Sequence, residues 1–230
     1  MKQEEVNANF NKVAESYDKQ WEKLAPINNS LHLLMGAIMA NLPEQAKVLC
    51  VGAGTGAEII YLAKRFPGWN FTAVDPSSAM MEICHKRLRD INMDSRCDFR
   101  IGYVDGLSSS ERYDAATSIL VSQFISERKS RINFFRQIAL RLKSGGILVN
   151  ADLSGHLGTS EFEGTLNVWF EMMKAGVSMF QSFDVMRNVY EKELSLLSPQ
   201  DIVSIITEGG FKNVVQFYQM ALIHGWYTIK

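Results

Sequence analysis

Apolar positions along the chain fall into two alternating rhythms. The runs Lys47–Val51, Asn70–Val74, Cys97–Ile101, Tyr113–Leu120 and Ile147–Ala151 have strand length. Between them, Ala57–Phe66, the stretch holding Met80, Cys84, Leu88 and Ile91, and Arg131–Leu142 carry apolar residues at helical spacing. Pro67-Gly68 stops the first of these helices, Ser77 or Ser78 can cap the second, and Lys143-Ser144-Gly145-Gly146 turns into the fifth strand. Parallel strands need crossover connections of this kind, so the alternation predicts a doubly wound α/β domain with a mostly parallel sheet.

Both ends of the chain depart from that rhythm. Phe10, Ala14, Tyr17 and Trp21 share one face of an N-terminal helix, and Leu31–Leu42 reads as a buried helix, so residues 1–45 are expected to form a helical cap. Over residues 154–199 the alternation breaks, and Phe162, Leu166, Trp169, Phe170, Met173, Val177 and Phe180 form an apolar stripe at helical spacing. This predicts a helical insertion after strand five. Ser198-Pro199 then starts a helix that ends at Gly209-Gly210, and Phe211–Tyr218 and Ile223–Ile229 are expected to pair antiparallel at the sheet edge. The sum is a single domain over residues 1–230, built on a seven-stranded sheet with an antiparallel last strand.

Composition narrows the function classes. Apolar residues make up 47% and charged residues 21% of 230 residues, as in a globular protein with a packed core. With Lys+Arg 24 against Asp+Glu 25, no global positive field draws the chain to nucleic acid or to anionic lipid. Cys50, Cys84 and Cys97 are odd in number and lack CxxC spacing, which fits neither a disulfide framework nor a zinc site and points to a reducing, cytoplasmic home. The polar start Met1-Lys2-Gln3-Glu4-Glu5 does not read as a secretory signal, and no apolar run is long enough for a membrane span.

The chemistry concentrates where the first strand ends. Gly52-Ala53-Gly54-Thr55-Gly56 joins a strand directly to a helix and lets a nucleotide-like ligand lie against the backbone. Asp75, at the end of the second strand, has two carboxylate oxygens suited to a vicinal ribose diol. Gly52, Gly54 and Ala57 also satisfy the dinucleotide fingerprint, so the turn alone admits a nicotinamide cofactor, and a purely structural turn is a third reading. Against nicotinamide, the turn lies far into the chain, no substrate domain follows, and no Tyr-x-x-x-Lys pair is present.

Beyond the turn, the residues resemble the class I S-adenosylmethionine-dependent methyltransferases over nearly the whole chain. Val48–Gly56 resembles the family's first motif, Ala73-Val74-Asp75-Pro76-Ser77-Ser78-Ala79-Met80 its second-strand acidic signature, and Asn9–Asp18 its N-terminal helix. Leu142–Leu148 and Gly209–Val214 resemble the turns before the fifth and the last strands. The resemblance implies S-adenosylmethionine as cofactor and S-adenosylhomocysteine as product. The implied contacts are Tyr17 at the methionine end, Gly52, Ala53, Gly54, Thr55, Gly56, Asp75, Pro76, Met80, Ser118 and Ile119. Where the family has Gly-Asp-Ala after strand three, this chain has Gly102-Tyr103-Val104, with Asp105 two residues late. Either Asp105 meets the adenine amino group, or Tyr103 contacts the base while the Val104 amide supplies a hydrogen bond. Ala79–Cys84 and Gln123-Phe124 are also similar to the carboxy-S-adenosylmethionine synthases, an alternative activity beside a non-catalytic cofactor-binding role.

Methyl transfer from a sulfonium is an in-line displacement governed by orientation. The residues expected nearest the methyl group are Ser118, Ile119, Asp152, Ser154 and His156, of which His156 is the best proton acceptor, with a solvated loop histidine as the plainer reading. His224 is expected to serve packing. No clustered carboxylates suggest a metal. The insertion stripe, with Trp169, Phe170, Met172, Met173, Met179 and Phe180, is either a lid implying an apolar or aromatic small-molecule acceptor, ordinary core, or a homodimer face.

Overall fold

The computed structural model describes residues 3–176, 182–192 and 194–230. Helices α1 (Gln3–Trp21) and α2 (Ala25–Ile38) precede the sheet. The alternating part follows as β1 (Lys47–Val51), α3 (Ala57–Arg65), β2 (Asn70–Asp75), α4 (Ser78–Asp90), β3 (Cys97–Ile101), β4 (Tyr113–Ile119), α5 (Arg128–Arg141) and β5 (Leu142–Leu153). The chain closes with α6 (Ser160–Gly176), α7 (Phe183–Lys192), α8 (Pro199–Glu208), β6 (Lys212–Met220) and β7 (Ile223–Ile229).

The strands form one seven-stranded sheet in the order β3-β2-β1-β4-β5-β7-β6. β1 pairs parallel with β2 and β4, so the strand order reverses at β1, beside the glycine turn. Such a switch point opens a crevice at the carboxyl ends of the strands. Only β7 runs against the others: it pairs antiparallel with both β5 and β6. The final pair is therefore antiparallel as expected, but the last strand of the chain is interior and β6 takes the edge.

Successive residues of β1 face opposite sides, and both sides are covered, which is why the run Val48–Val51 is apolar without alternation. Val48 and Cys50 join Met35, Ile59, Leu62, Cys84 and Leu88 on one face. Leu49 and Val51 join Phe135, Ile138, Ile202, Ile205 and Trp226 on the other. Ser77 caps α4 by accepting from the Met80 amide at 3.2 Å, and Ser198 caps α8 from Asp201 at 3.1 Å.

The insertion builds a third cluster. Phe162, Leu166, Trp169 and Met173 of α6 pack with Met186 and Tyr190 of α7, Leu24, Ile27 and Leu31 near α2, and Leu222 and Ile223 at β7. These side chains are buried inside this chain, so this described part of the stripe takes the core reading of the three that the sequence left open. Val177, Met179 and Phe180 of that stripe lie outside the described residues. Trp169 is fully buried and donates from Nε1 to the Tyr190 hydroxyl at 2.7 Å. Trp169→Ala should lower stability by about 3–5 kcal/mol, the usual cost of emptying a buried aromatic site. Urea unfolding reads the change, and a loss under about 1 kcal/mol would show that the insertion is not packed core.

Candidate active site

The glycine turn is built by backbone geometry. Gly52, Gly54 and Gly56 have φ of +71°, +52° and +78°, a region costly for other residues. A Cβ on Gly52 would strike the Val121 side chain, and one on Gly56 would come within 2.5 Å of Cys84 Sγ. At Gly54 a Cβ would meet nothing within 4 Å, because this residue faces an open cavity. Two of the glycines thus make room for the protein itself, and the middle one opens its backbone to a ligand.

The turn also aims a carboxylate. Asp75 Oδ2 accepts from the Gly54 amide at 2.9 Å and Oδ1 from the Ser77 amide at 2.8 Å. Each oxygen keeps a second acceptor site. Burial pushes the carboxyl pKa up, against the pull of those two amides. Asp75 lines a cavity of about 500 Å³ together with Gly52, Gly54, Pro76, Ser77 and Met80. A buried carboxylate with one free acceptor site per oxygen, beside an unobstructed glycine backbone, fits the ribose diol of S-adenosylmethionine.

Helix α1 roofs the cavity. Tyr17, Phe10, Asn7 and Val6 line it from this helix, and burial raises the Tyr17 phenol pKa, keeping it protonated. Two polar groups one face further round fasten the roof. Asn11 Oδ1 accepts from Ser77 Oγ at 2.7 Å and from the Ala79 amide at 3.2 Å. Asp18 accepts from Thr55 Oγ1 at 2.7 Å and pairs with Arg87 at 2.9 Å, while Arg87 also donates to the Thr55 carbonyl at 3.0 Å. Asn11 and Asp18 stand seven residues apart. That spacing beside Phe10 and Tyr17 is the signal that could have revealed this latch.

The turns after β3 and β4 supply two further walls. Tyr103, Val104 and Asp105 line the cavity from the first, in and beside a short 3₁₀ turn at Val104–Gly106. Ile119, Leu120, Val121 and Phe124 line it from the second. Leu120 has φ of +59°, a strained conformation for a leucine. Phe124 meets Phe10 edge to face, with ring centroids 5.3 Å apart.

Other residues expected at the site stand elsewhere. Ala53 is core, Thr55 serves the α1 latch, and Gly56 packs on Cys84. Ser118 is fully buried on the α5 side of the sheet. His156 is exposed on the loop after β5 and does not line the cavity. Asp152 is buried beneath the floor, where Arg131 Nη2 lies 3.3 Å from Oδ2 and Ser122, Asn150 and the Gln123 amide donate to it. That buried pair, which sequence reasoning missed through Arg131, ties down the loop carrying Phe124. Ser154 is likewise buried, its hydroxyl on the Leu197 carbonyl. His224 is mostly buried and stacks on Trp226, in keeping with packing.

Glu58, in the first turn of α3, is buried with Oε1 unpartnered. Burial is the main cause that lifts its carboxyl from 4.5 to about 7, and the Asp75 charge adds to it. The folded protein therefore holds a proton that the unfolded chain releases near 4.5, so this group's contribution to stability falls as pH rises from about 4.5 to 7 and is flat above. Urea unfolding of wild type and Glu58→Gln across that window should show the variant gaining on wild type as pH rises. A constant difference between the two would contradict the burial argument.

Comparison with known proteins agrees with this arrangement. Residues 48–146 match the family described as methyltransferase domain. The chain is 26% identical over 199 residues to a malonyl-[acyl-carrier protein] O-methyltransferase of Priestia megaterium, covering 85% of this chain and 67% of that protein. It is 28% identical over 220 residues to a demethylmenaquinone methyltransferase of Thermotoga maritima, covering 88% and 86%. An O-methyltransferase family protein from Burkholderia thailandensis shares the fold, with a TM-score of 0.67 at 11% identity; the alignment covers 100% of this chain and 60% of that structure. Residues 48–146 thus match a methyltransferase domain, and the sheet order and the site around it agree with the resemblance of the chain to the class I S-adenosylmethionine-dependent methyltransferases.

Proposed function

We propose that the protein transfers the methyl group of S-adenosylmethionine to a small apolar or aromatic acceptor held against the wall of Phe10, Ile119, Leu120, Val121 and Phe124. The observation that carries this reading is one cavity lined by two unlike surfaces: Asp75 with the glycine backbone, and this apolar wall beside them. When bound, the cofactor supplies an electrophilic sulfonium methyl. Asp75 and Gly54 would hold its ribose and backbone-facing portion, and Tyr17 would close over the methionine end. The apolar wall excludes water and fixes the acceptor's approach, and such orientation can contribute about 7–11 kcal/mol to lowering the barrier. The support for an apolar acceptor lies in this wall, since the described part of the insertion stripe packs as core.

The acceptors named for the relatives, demethylmenaquinone and malonyl-acyl-carrier protein, define a first panel. Incubation with S-adenosylmethionine and each acceptor, followed by mass spectrometry, should give S-adenosylhomocysteine and methylated acceptor in equal amounts. Recovery of a cofactor heavier by a carboxyl group would favour the synthase activity instead. Retained cofactor without turnover on a wide panel would favour a binding protein. Titration with S-adenosylhomocysteine and NADH separates all of these from a nicotinamide enzyme.

With an active acceptor in hand, Phe124→Ala should raise its KM about tenfold, the effect of losing roughly 1.4 kcal/mol of apolar contact, and leave S-adenosylhomocysteine affinity unchanged. An unchanged KM would remove Phe124 from the acceptor wall. His156→Ala tests the remaining candidate base: retention of kcat within about threefold is expected from its exposed position, whereas loss of about 100-fold or more would mark it as a general base.

A further inference from the structure

We propose that Gln137 determines the preference of this site for adenine over other purines, and that Arg141 sets which end of its amide faces the base. The inference rests on the S-adenosylmethionine reading above. Gln137 lines the cavity from α5, and Tyr103, Val104 and Asp105 line it from the turn after β3. Because the ribose is held at Asp75, the last residue of β2, and because Gly102 at the end of β3 donates to the Asp75 carbonyl at 2.9 Å, a base attached to that ribose has the Tyr103–Asp105 turn and Gln137 as its neighbours.

One helical turn beyond Gln137, Arg141 is buried at 3% exposure, and burial lowers its pKa. Its hydrogen-bond acceptors among the described residues are amide oxygens. Nη1 donates to the Gln137 carbonyl at 3.0 Å and to Gln137 Oε1 at 2.9 Å. Nη2 donates to the carbonyls of Asp105 at 3.2 Å and Leu107 at 2.6 Å. A guanidinium has donors and no acceptor, so it must face the oxygen of the Gln137 amide and not its nitrogen. The nitrogen is thereby turned away from Arg141. Nε2 reaches Asn133 Oδ1 only at 3.5 Å, which leaves N–H capacity for a ligand.

The same guanidinium pins the turn that carries Asp105. Gln137, whose Nε2 is a donor, and Asp105, whose carboxylate is an acceptor, thus both line the cavity that would take the base. Adenine matches that pair, since its ring nitrogens only accept and its exocyclic amine donates. A 6-oxopurine presents the reverse pattern, with an oxygen where adenine has the amine and a hydrogen on N1.

The test is isothermal titration of wild type, Gln137→Glu and Arg141→Met with S-adenosylhomocysteine and with S-inosylhomocysteine, with thermal unfolding of each protein as the check on folding. Wild type should prefer the adenosyl ligand. Gln137→Glu keeps a partner for Arg141 but loses the donor, so its affinity for S-adenosylhomocysteine should fall about tenfold and the preference should narrow or reverse. Arg141→Met, if folded, should narrow the preference as well, because the Gln137 amide is then free to turn over; if it does not fold, Gln137→Glu decides alone. An unchanged preference in Gln137→Glu would overturn the assignment of Gln137 while leaving the cofactor reading intact. Failure of wild type to bind either ligand would overturn both.

Discussion

The arrangement depends on a single carboxylate whose two oxygens are fixed by backbone amides. Gly54 and Ser77 hold Asp75 from two directions, one amide from the turn after β1 and one from the start of α4. For this to happen β1 and β2 must be neighbours in register, the turn must take positive φ three times, and Ser77 must begin the helix. Each requirement has its own local cause: paired apolar strands, glycines, and a serine cap. Charge-assisted hydrogen bonds offset part of the desolvation cost of burying Asp75, and free acceptor sites are left for a diol.

From that point outward, the molecule adds walls by separate means. The Asp18–Thr55–Arg87 and Asn11–Ser77 contacts hold α1 across the cavity, although the Asp18–Arg87 pair is partly exposed and contributes little to stability. Its effect is positional: it sets Tyr17 and Phe10 over the site. Below, the buried Arg131–Asp152 pair fixes the loop after β4, since an unpaired charge at either position would be expensive. Phe124 and Val121 reach the cavity from that loop, and Val121 also occupies the space that a side chain on Gly52 would need.

Much of this could be read in the sequence because it is local. Apolar runs punctuated by Pro67-Gly68, Ser77 and Gly145-Gly146 located the parallel strands and their helices, and Asp75 followed from its place at a strand end. What stayed hidden depends on partners distant in the chain. The insertion of β7 between β5 and β6 is a choice of pairing that no local pattern records. The spacing of Phe162, Leu166, Trp169 and Met173 shows that a face is buried but not against what, so core, lid and dimer face looked alike. Asp152 sits at a strand end just as Asp75 does, yet Arg131 claims it from α5. Periodicity cannot separate an acid aimed at a ligand from one buried with an arginine.

The most direct test of the account is the affinity of Asp75→Ala for S-adenosylhomocysteine, measured by isothermal titration beside the wild-type protein, with circular dichroism to show that the fold is kept. Loss of a charge-assisted hydrogen-bonding group predicts a fall of about ten- to a hundredfold. Unchanged affinity in a folded variant would contradict the placement of the ribose at Asp75, and with it the orientation of everything built around that carboxylate.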